Sequence, residues 1–270
     1  MLYFKKVSLC LCVLVLSVSL IGDVTKAETY NKSEVNSIFK YMDLKAISMD
    51  KFGMFGYDMP NYNFVFGVKR DAHIMEFKEG FKVTTPLDIG LGKQQFNCVQ
   101  VANEFKKLPK MLTKNITEIQ LLDYKNIYNS YWDKGYKIKN FTSYASGGNN
   151  QIYFYANDQV SKDLNNSSLL PTLAHEAGHN LDVTLSTQTD RLSNSKEWDN
   201  IMAKDLEFKN GSKLLSTDYG KYCSSYSQSS KSNVEDFADS VSLYLCSKEN
   251  FVKQFPNRSI EMSAILSSKN

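Results

Sequence analysis

The stretch LLPTLAHEAGHNLD, residues 169–182, constrains this chain more than any other part of its sequence. It contains two of the three histidines in the chain, His175 and His179, and Glu176 lies between them. A spacing of four residues puts both imidazoles on one face of an α-helix, about one turn apart. The local sequence favours a helix, because Pro171 suits a first turn, the preceding serines can cap it, and leucines and alanines supply an apolar face.

A helix that carries His-Glu-x-x-His is typical of a catalytic zinc site. In such a site the two imidazoles bind Zn²⁺, and the glutamate, one position further round, takes a proton from a water molecule. The alternative is that His175 and His179 are ordinary polar residues of a half-buried helix. The signals for both ends of the helix favour the zinc interpretation.

Residues 1–27 have the pattern of a secretory signal peptide. Lys5 and Lys6 form a basic start, residues 7–21 are an apolar run, and Thr25-Lys26-Ala27 has small residues where a signal peptidase reads them. The apolar run is short for a membrane span, so cleavage is favoured over an uncleaved anchor. We therefore expect a secreted, extracellular protein, or one that stays associated with the cell surface.

The net charge bears on the choice of partners. Lys and Arg outnumber Asp and Glu by 32 to 29, and residues 1–27 hold three of the lysines and one aspartate, so the remaining 243 residues have a formal charge of +1. This balance does not favour nucleic acid or an anionic membrane surface as a partner.

Three cysteines follow residue 27, namely Cys98, Cys223 and Cys246. In an exported protein an odd number permits at most one internal disulfide and leaves a thiol over. Cys223 with Cys246 is the candidate pair, and three unpaired, partly buried thiols are an equal alternative. Either way a disulfide scaffold is excluded, so a hydrophobic core must stabilise the fold.

The order of strand and helix signals predicts an α+β protein in two parts after the signal peptide. In residues 28–90 a helix is followed by several short strands rich in Phe, Tyr, Val and Gly, with His73 as a surface or strand residue and not a metal ligand. Pro86, Gly90 and Gly92 mark the boundary with the second part, residues 91–270.

The second part is expected to form a small mixed sheet packed on the helix with the two histidines, and then a mostly helical C-terminal region. A helix is predicted at Gln94–Leu112, and strands are predicted at 116–122 and 152–155. The later strand leads toward the histidine helix, where a peptide can add as a neighbouring strand, although an ordinary hairpin strand is equally consistent. The serine-rich stretch 224–232 is expected to be a flexible loop.

A catalytic zinc site needs a third protein ligand and one open position. One large class uses a third histidine six residues past the second, but Leu185 stands there. The other common ligand is a glutamate on a later helix, and the candidates are Glu197, Glu207, Glu235 and Glu249.

Glu235 is the best of these glutamates because it opens the helix-like stretch EDFADSVSLYL. Asp239 lies four residues further on and faces the same way, so it can accept the free N–H of a ligating imidazole. Asp182, three residues past His179, is another candidate for that role. The alternative for Glu235 is an acidic first turn that complements the helix dipole.

The combination of HEAGHNLD, SSYS, EDFADSVSLYL and FPNR resembles the anthrax-lethal-factor-like zinc metallopeptidases, a family that includes the small secreted clostridial Pro-Pro endopeptidases. The resemblance covers roughly Gln94 to the C-terminus. It implies a zincin-like catalytic domain preceded by a small β-rich segment. It also implies roles for individual residues: ligands of Zn²⁺ at His175, His179 and Glu235, a general base at Glu176, an acidic partner at Asp239 and a transition-state tyrosine at Tyr226.

Two spacings depart from that family. Eight residues separate Tyr226 from Glu235, and the step of 56 residues from His179 to Glu235 is longer than expected. Tyr219 therefore remains an alternative for the tyrosine.

The function implied by the resemblance is that of a secreted zinc metalloendopeptidase with a protein or peptide substrate. Such a protein is expected to be a monomer, without nucleic acid and without stable membrane association after removal of the signal peptide. A non-catalytic, zinc-containing binding protein and a secreted toxin-like protein are the alternatives.

Overall fold

The structure is a computed structural model, and it is described for residues 45–49, 54–87, 98–127, 145–148, 150–155, 166–185, 191–212 and 220–268. The chain divides into two compact units, Met1–Lys93 and Gln94–Asn270. Its architecture is mixed α+β, which confirms the predicted class. The predicted signal peptide and the helix predicted to begin at Glu28 lie outside the described residues.

The first unit contains a meander of four antiparallel strands, each paired with the next along the chain. The strands are β1 (Lys45–Met49), β2 (Met54–Asn63), β3 (Lys69–Phe77) and β4 (Lys82–Pro86). His73 lies in β3, as predicted, and its Nδ1 is 3.1 Å from Oδ1 of Asp58 on β2.

The second unit contains a small sheet of three strands, β5 (Glu118–Leu121), β6 (Ala145–Gly148) and β7 (Gln151–Phe154). Strand β7 pairs in parallel with β5 and antiparallel with β6, so the sheet is mixed. Both edges of β7 are therefore occupied, and the expectation that a peptide adds at residues 152–155 is wrong. Among the described residues, β6 pairs with β7 on one edge and has no strand partner on the other.

The second unit is otherwise helical. Its helices are α1 (Cys98–Phe105), α2 (Lys110–Thr113), α3 (Asn166–Leu185), α4 (Lys196–Ser212), α5 (Ser225–Ser230), α6 (Asn233–Cys246), α7 (Lys248–Gln254) and α8 (Pro256–Ser267). No helix of the described residues is long and apolar enough to cross a membrane.

Three predictions about where helices lie are wrong, and the local sequence explains each difference. The helix predicted to run to Leu112 stops at Phe105, because Pro109 has no N–H and disfavours helical geometry in the residue before it. Helix α3 begins at Asn166, so Pro171 lies inside the helix and not in its first turn. The serine-rich stretch forms α5, since Ser224 makes a capping box at its start.

Helices α3 and α6 pack closely at the centre of the second unit. A Cβ atom on Gly178 of α3 would lie 3.1 Å from the Cα of Ala238 on α6. The apolar side chains around this crossing are fully buried, and they include Leu173, Ala174, Ala177, Phe237 and Val241.

A buried arginine ties three helices together. The side chain of Arg258 on α8 is fully buried and donates to both carboxylate oxygens of Asp236 on α6, at 3.0 and 3.1 Å. It also donates to Asp205 on α4 at 2.9 Å. Buried carboxylates and guanidinium groups are costly unless paired, so these three residues must fold as a set.

We expect Arg258→Met to lower the free energy of unfolding by about 3–5 kcal/mol, because Asp205 and Asp236 would stay buried without their cation. Urea unfolding followed by circular dichroism measures the change. Lys253→Met, which removes a positive charge from the exposed face of α7, is the control and should shift the value by no more than about 0.5 kcal/mol. Equal losses in the free energy of unfolding for the two variants would contradict the stabilising role of Arg258.

All three cysteines of the second unit are free thiols, so Cys223 and Cys246 do not form the candidate disulfide, and the equal alternative of three unpaired thiols is the correct one. The Sγ of Cys223 lies 3.4 Å from the carbonyl oxygen of Asp236 in the first turn of α6. Cys246 ends the same helix ten residues later, about 15 Å along its axis. A disulfide spans no more than about 7 Å between Cα atoms.

We expect a thiol reagent to modify Cys246 first in the folded protein. Cys246 is exposed, whereas Cys98 and Cys223 are buried, and burial raises the pKa of Cys98 to about 12. Iodoacetamide labelling followed by peptide mass spectrometry measures the order. In denaturant without reductant all three should react at similar rates, and a Cys223 or Cys246 that reacts only after reduction would contradict the free-thiol assignment.

Candidate metal centre

Helix α3 presents His175 and His179 side by side. Their rings are 4.7 Å apart between centroids and nearly perpendicular, at 89°. Their Nε2 atoms are 3.1 Å apart. This contact follows from the spacing of four residues, which stacks the two side chains on one face of the helix.

The third group of the site comes from the first turn of α6. Ser232 caps this helix by accepting a hydrogen bond from the backbone N–H of Glu235 at 3.3 Å. The Oε2 atom of Glu235 lies 3.2 Å from Nε2 of His175 and 3.3 Å from Nε2 of His179. The structure thus brings together the three residues predicted as ligands, and they form a group that can hold a metal ion.

The other candidate glutamates do not belong to this group. Glu197, Glu207 and Glu249 are exposed on α4 and α7. Among the described residues, His175, His179 and Glu235 are the group of histidine, cysteine and acidic side chains close enough to share an ion.

The separations between the three atoms fit a tetrahedral ion. Ligands at the Zn–N and Zn–O distances of about 2.0–2.2 Å lie about 3.3–3.5 Å from one another in tetrahedral geometry. The observed separations are 3.1, 3.2 and 3.3 Å. Oε2 of Glu235 is buried and has no hydrogen-bond donor among the described residues, which also suits a cation at this point.

Asp239 orients one of the histidines, as predicted. Its Oδ1 lies 2.9 Å from Nδ1 of His175. The carboxylate accepts a hydrogen bond from the N–H at Nδ1, so the lone pair of Nε2 can bind a metal ion. Burial disfavours the charged imidazole, but the hydrogen bond to Asp239 and the nearby carboxylates of Glu235 and Glu176 outweigh it and raise the pKa of His175 well above its usual range.

Asp182 does not perform this role for His179, so that prediction is wrong. Its carboxylate accepts hydrogen bonds from the backbone N–H of Ser193 at 2.8 Å and from the Ser193 hydroxyl at 2.6 Å. Arg191 lies 3.8 Å from the same carboxylate. A buried carboxylate needs several donors, and the short 3₁₀ helix Leu192–Asn194 supplies them, so Asp182 holds that segment against α3.

Glu176 is buried on α3 beside the two histidines. Burial raises its pKa, while the histidines and the backbone N–H of Gly147 act in the opposite direction. Gly147 holds one carboxylate oxygen, and Oε2, the other, is buried without a hydrogen-bond partner among the described residues. A carboxylate with a raised pKa and one free oxygen can take a proton from water.

Strand β6 approaches α3 too closely for any side chain at Gly147. A Cβ atom there would overlap the carbonyl oxygen of Glu176 and lie 2.9 Å from its carbonyl carbon. Asn180 strengthens the contact by accepting from the N–H of Asn150 at 2.9 Å and donating to the carbonyl of Gln151 at 3.2 Å. Neither Gly147 nor Asn180 is predicted from the sequence as part of the site, although a glycine pair in a strand is a signal of close backbone approach.

Helix α5 places Tyr226 next to the metal centre. Its ring centroid is 5.9 Å from that of His175, at 63°, and the residue is 37% exposed. Tyr219, the alternative, lies outside the described residues. The tyrosine beside the histidines is therefore Tyr226 in the part of the chain that the structure describes.

In comparisons with protein-family models and with curated proteins, nothing matches this chain. The assignment of the site therefore depends on the geometry of its own residues.

We expect Gly147→Ala to lower the free energy of unfolding by about 1–3 kcal/mol, because its methyl group would push β6 away from Glu176. Gly148→Ala is the matched control in the same strand, since a Cβ atom there meets nothing within 4 Å. Urea unfolding of the two variants measures the difference. Similar losses in both would mean that β6 does not depend on the close approach at Gly147.

Proposed function

We propose that this protein is a zinc-dependent metalloendopeptidase with a zincin-like catalytic domain. The observation that carries the proposal is the convergence of Nε2 of His175, Nε2 of His179 and Oε2 of Glu235 within 3.1–3.3 Å of one another, beside a buried Glu176. Two imidazoles and a carboxylate are the ligands of a catalytic zinc in one large class of peptidases.

Three protein ligands favour a catalytic over a structural site. Structural zinc is held by four protein ligands, whereas catalytic zinc keeps a position for water or substrate. A zinc ion held by His175, His179 and Glu235 would polarise the substrate carbonyl and lower the pKa of water from 15.7 to about 7.

Glu176 is the general base of this proposal. Its Oε2 is the carboxylate oxygen without a hydrogen-bond partner among the described residues, so it can accept the proton of the attacking water. Gly147 holds the other oxygen through its backbone N–H and so limits rotation of the carboxylate. Once protonated, Glu176 can pass the proton to the leaving amine.

Tyr226 is the proposed donor to the developing oxyanion. Its ring contacts His175, and its partial exposure leaves room for a substrate at the hydroxyl. Removal of one such donor typically raises the barrier by about 3 kcal/mol.

An extended peptide suits the strand next to this base. Within the described residues β6 has a partner on one edge only, and it consists of Ala145, Ser146, Gly147 and Gly148. Small side chains let another backbone approach, and a peptide that pairs with the free edge would pass beside Glu176. This argument favours a protein or peptide substrate over a small molecule.

The resemblance to the anthrax-lethal-factor-like metallopeptidases supports the same function. The signal-peptide pattern of residues 1–27 supports a secreted enzyme. The formal charge of +1 after residue 27 does not favour nucleic acid or an anionic membrane surface as a partner, and we propose that the enzyme works as a monomer. A toxin-like role would change the place of action and not the chemistry. A non-catalytic binding protein has no use for a buried carboxylate such as Glu176, whose unpaired oxygen costs stability.

We expect Glu176→Ala to keep one zinc per chain and to cleave peptides at least 10²-fold more slowly than the parent, because only the base is removed. Glu235→Ala should lose both zinc and cleavage. Digestion of a diverse peptide library by the full chain, with zinc content measured by atomic emission, tests both variants.

Glu249→Ala on the exposed face of α7 is the control, and it should behave as the parent does. If Glu176→Ala cleaves as fast as the parent, the mechanism is wrong. If the parent holds zinc but cleaves nothing in the library, the binding-protein alternative becomes the better one.

A further inference from the structure

The hydroxyl of Ser224 joins two parts of the site that come from different helices. Its oxygen accepts a hydrogen bond from the backbone N–H of Ser227 at 3.1 Å, which caps α5. It also donates to Oδ2 of Asp239 on α6. Oδ1 of the same Asp239 carboxylate lies 2.9 Å from Nδ1 of His175. One serine thus connects the start of the tyrosine helix to a histidine of the metal centre.

The position of Tyr226 depends on the cap at Ser224. Helix α5 has six residues, Ser225–Ser230, and a helix this short is not stable by itself. Tyr226 lies in its first turn, two residues after the cap, and more than a third of its side chain is exposed. A shift of the cap would therefore move the ring of Tyr226 relative to His175.

We propose that Ser224 is a positioning residue that couples the place of Tyr226 to the orientation of His175 through Asp239. The catalytic part of this inference rests on the proposed peptidase function. Ser224 itself touches neither the ligand atoms nor the base, so it acts through Tyr226 and Asp239.

The chemistry of a hydroxyl explains why serine stands here. A hydroxyl has one proton to give and lone pairs to accept with, and Ser224 uses the proton on Asp239 and a lone pair on the N–H of Ser227. Alanine can do neither. Aspartate can cap the helix but has no proton to give, and its charge would repel Asp239.

Both oxygens of Asp239 are held in this arrangement, one by Ser224 and one by His175. A carboxylate fixed at both oxygens cannot rotate, so the imidazole that it orients is fixed as well. His179 has no such support, since its Nδ1 is buried without a hydrogen-bond partner among the described residues. The support from Ser224 therefore reaches His175, the histidine whose ring lies beside that of Tyr226.

The test has a structural arm and a kinetic arm. In the structural arm, nuclear Overhauser effects between the rings of Tyr226 and His175 are measured in the full chain with labelled tyrosine, first without metal and then with zinc. We expect the ring contact in the parent and in Ser224→Thr, and its loss in Ser224→Ala and Ser224→Asp.

In the kinetic arm, we expect Ser224→Ala to lower kcat by about 10- to 100-fold at saturating zinc, with little change in KM, because a displacement of about 1 Å has an effect of this size. Ser224→Thr should restore kcat. In a Tyr226→Phe background, Ser224→Ala should have a smaller further effect, because the part that acts through the Tyr226 hydroxyl is already gone and only the part that acts through Asp239 and His175 remains.

Ser229→Ala controls for loss of a serine from the same helix, since Ser229 donates only to carbonyls of α5 itself. It should keep both the ring contact and kcat. The proposal is overturned if Ser224→Ala keeps the ring contact and the parent kcat, or if it lowers kcat equally with and without the Tyr226 hydroxyl. If the parent cleaves no peptide, the proposed function fails, and the ring contact still decides whether Ser224 positions Tyr226.

Discussion

The close packing of α3 on α6 is the constraint on which the site depends. Gly178 lies within the His-Glu-x-x-His sequence, and a Cβ atom there would be 3.1 Å from the Cα of Ala238. The Ser242 hydroxyl donates to the carbonyl of Pro171 at 2.9 Å and fixes the other end of the same crossing. Because the two backbones are this close, the short side chain of Glu235 reaches both histidines of α3. A larger residue at the crossing would separate the ligands by more than a metal ion can span.

Two adjacent carboxylates of helix α6 face in different directions and have different roles. Glu235 faces the histidines, whereas Asp236, about 100° further round, accepts from Arg258 and from the backbone N–H of Cys223 at 2.8 Å. Arg258 in turn donates to the carbonyl of Lys221, so the segment that leads into α5 is tied to the same buried ion pair. The ion pair thus stabilises the fold and also fixes where the helix of Tyr226 starts.

The sequence predicted the parts of the site that depend on helical periodicity. The pairing of His175 with His179 follows from a spacing of four, and the shared direction of Glu235 and Asp239 follows from the same spacing. The features that the sequence did not predict depend on tertiary contacts. Asp182 faces Ser193 because a turn eleven residues later supplies donors, and β6 is the edge strand because β7 pairs on both sides. No local pattern contains either fact.

The unpaired polar atoms of the site are the ones that a bound cation and a general base would use. Oε2 of Glu176, Nδ1 of His179 and Oε2 of Glu235 are buried without hydrogen-bond partners among the described residues. Each such atom typically costs about 1–3 kcal/mol, although the costs of neighbouring groups do not add. A fold under selection for stability alone would replace these side chains with apolar ones of similar volume. Their presence where two helices converge is explained if a cation binds the ligands and Glu176 keeps an oxygen free for a proton. Metal binding would then offset part of the cost in stability.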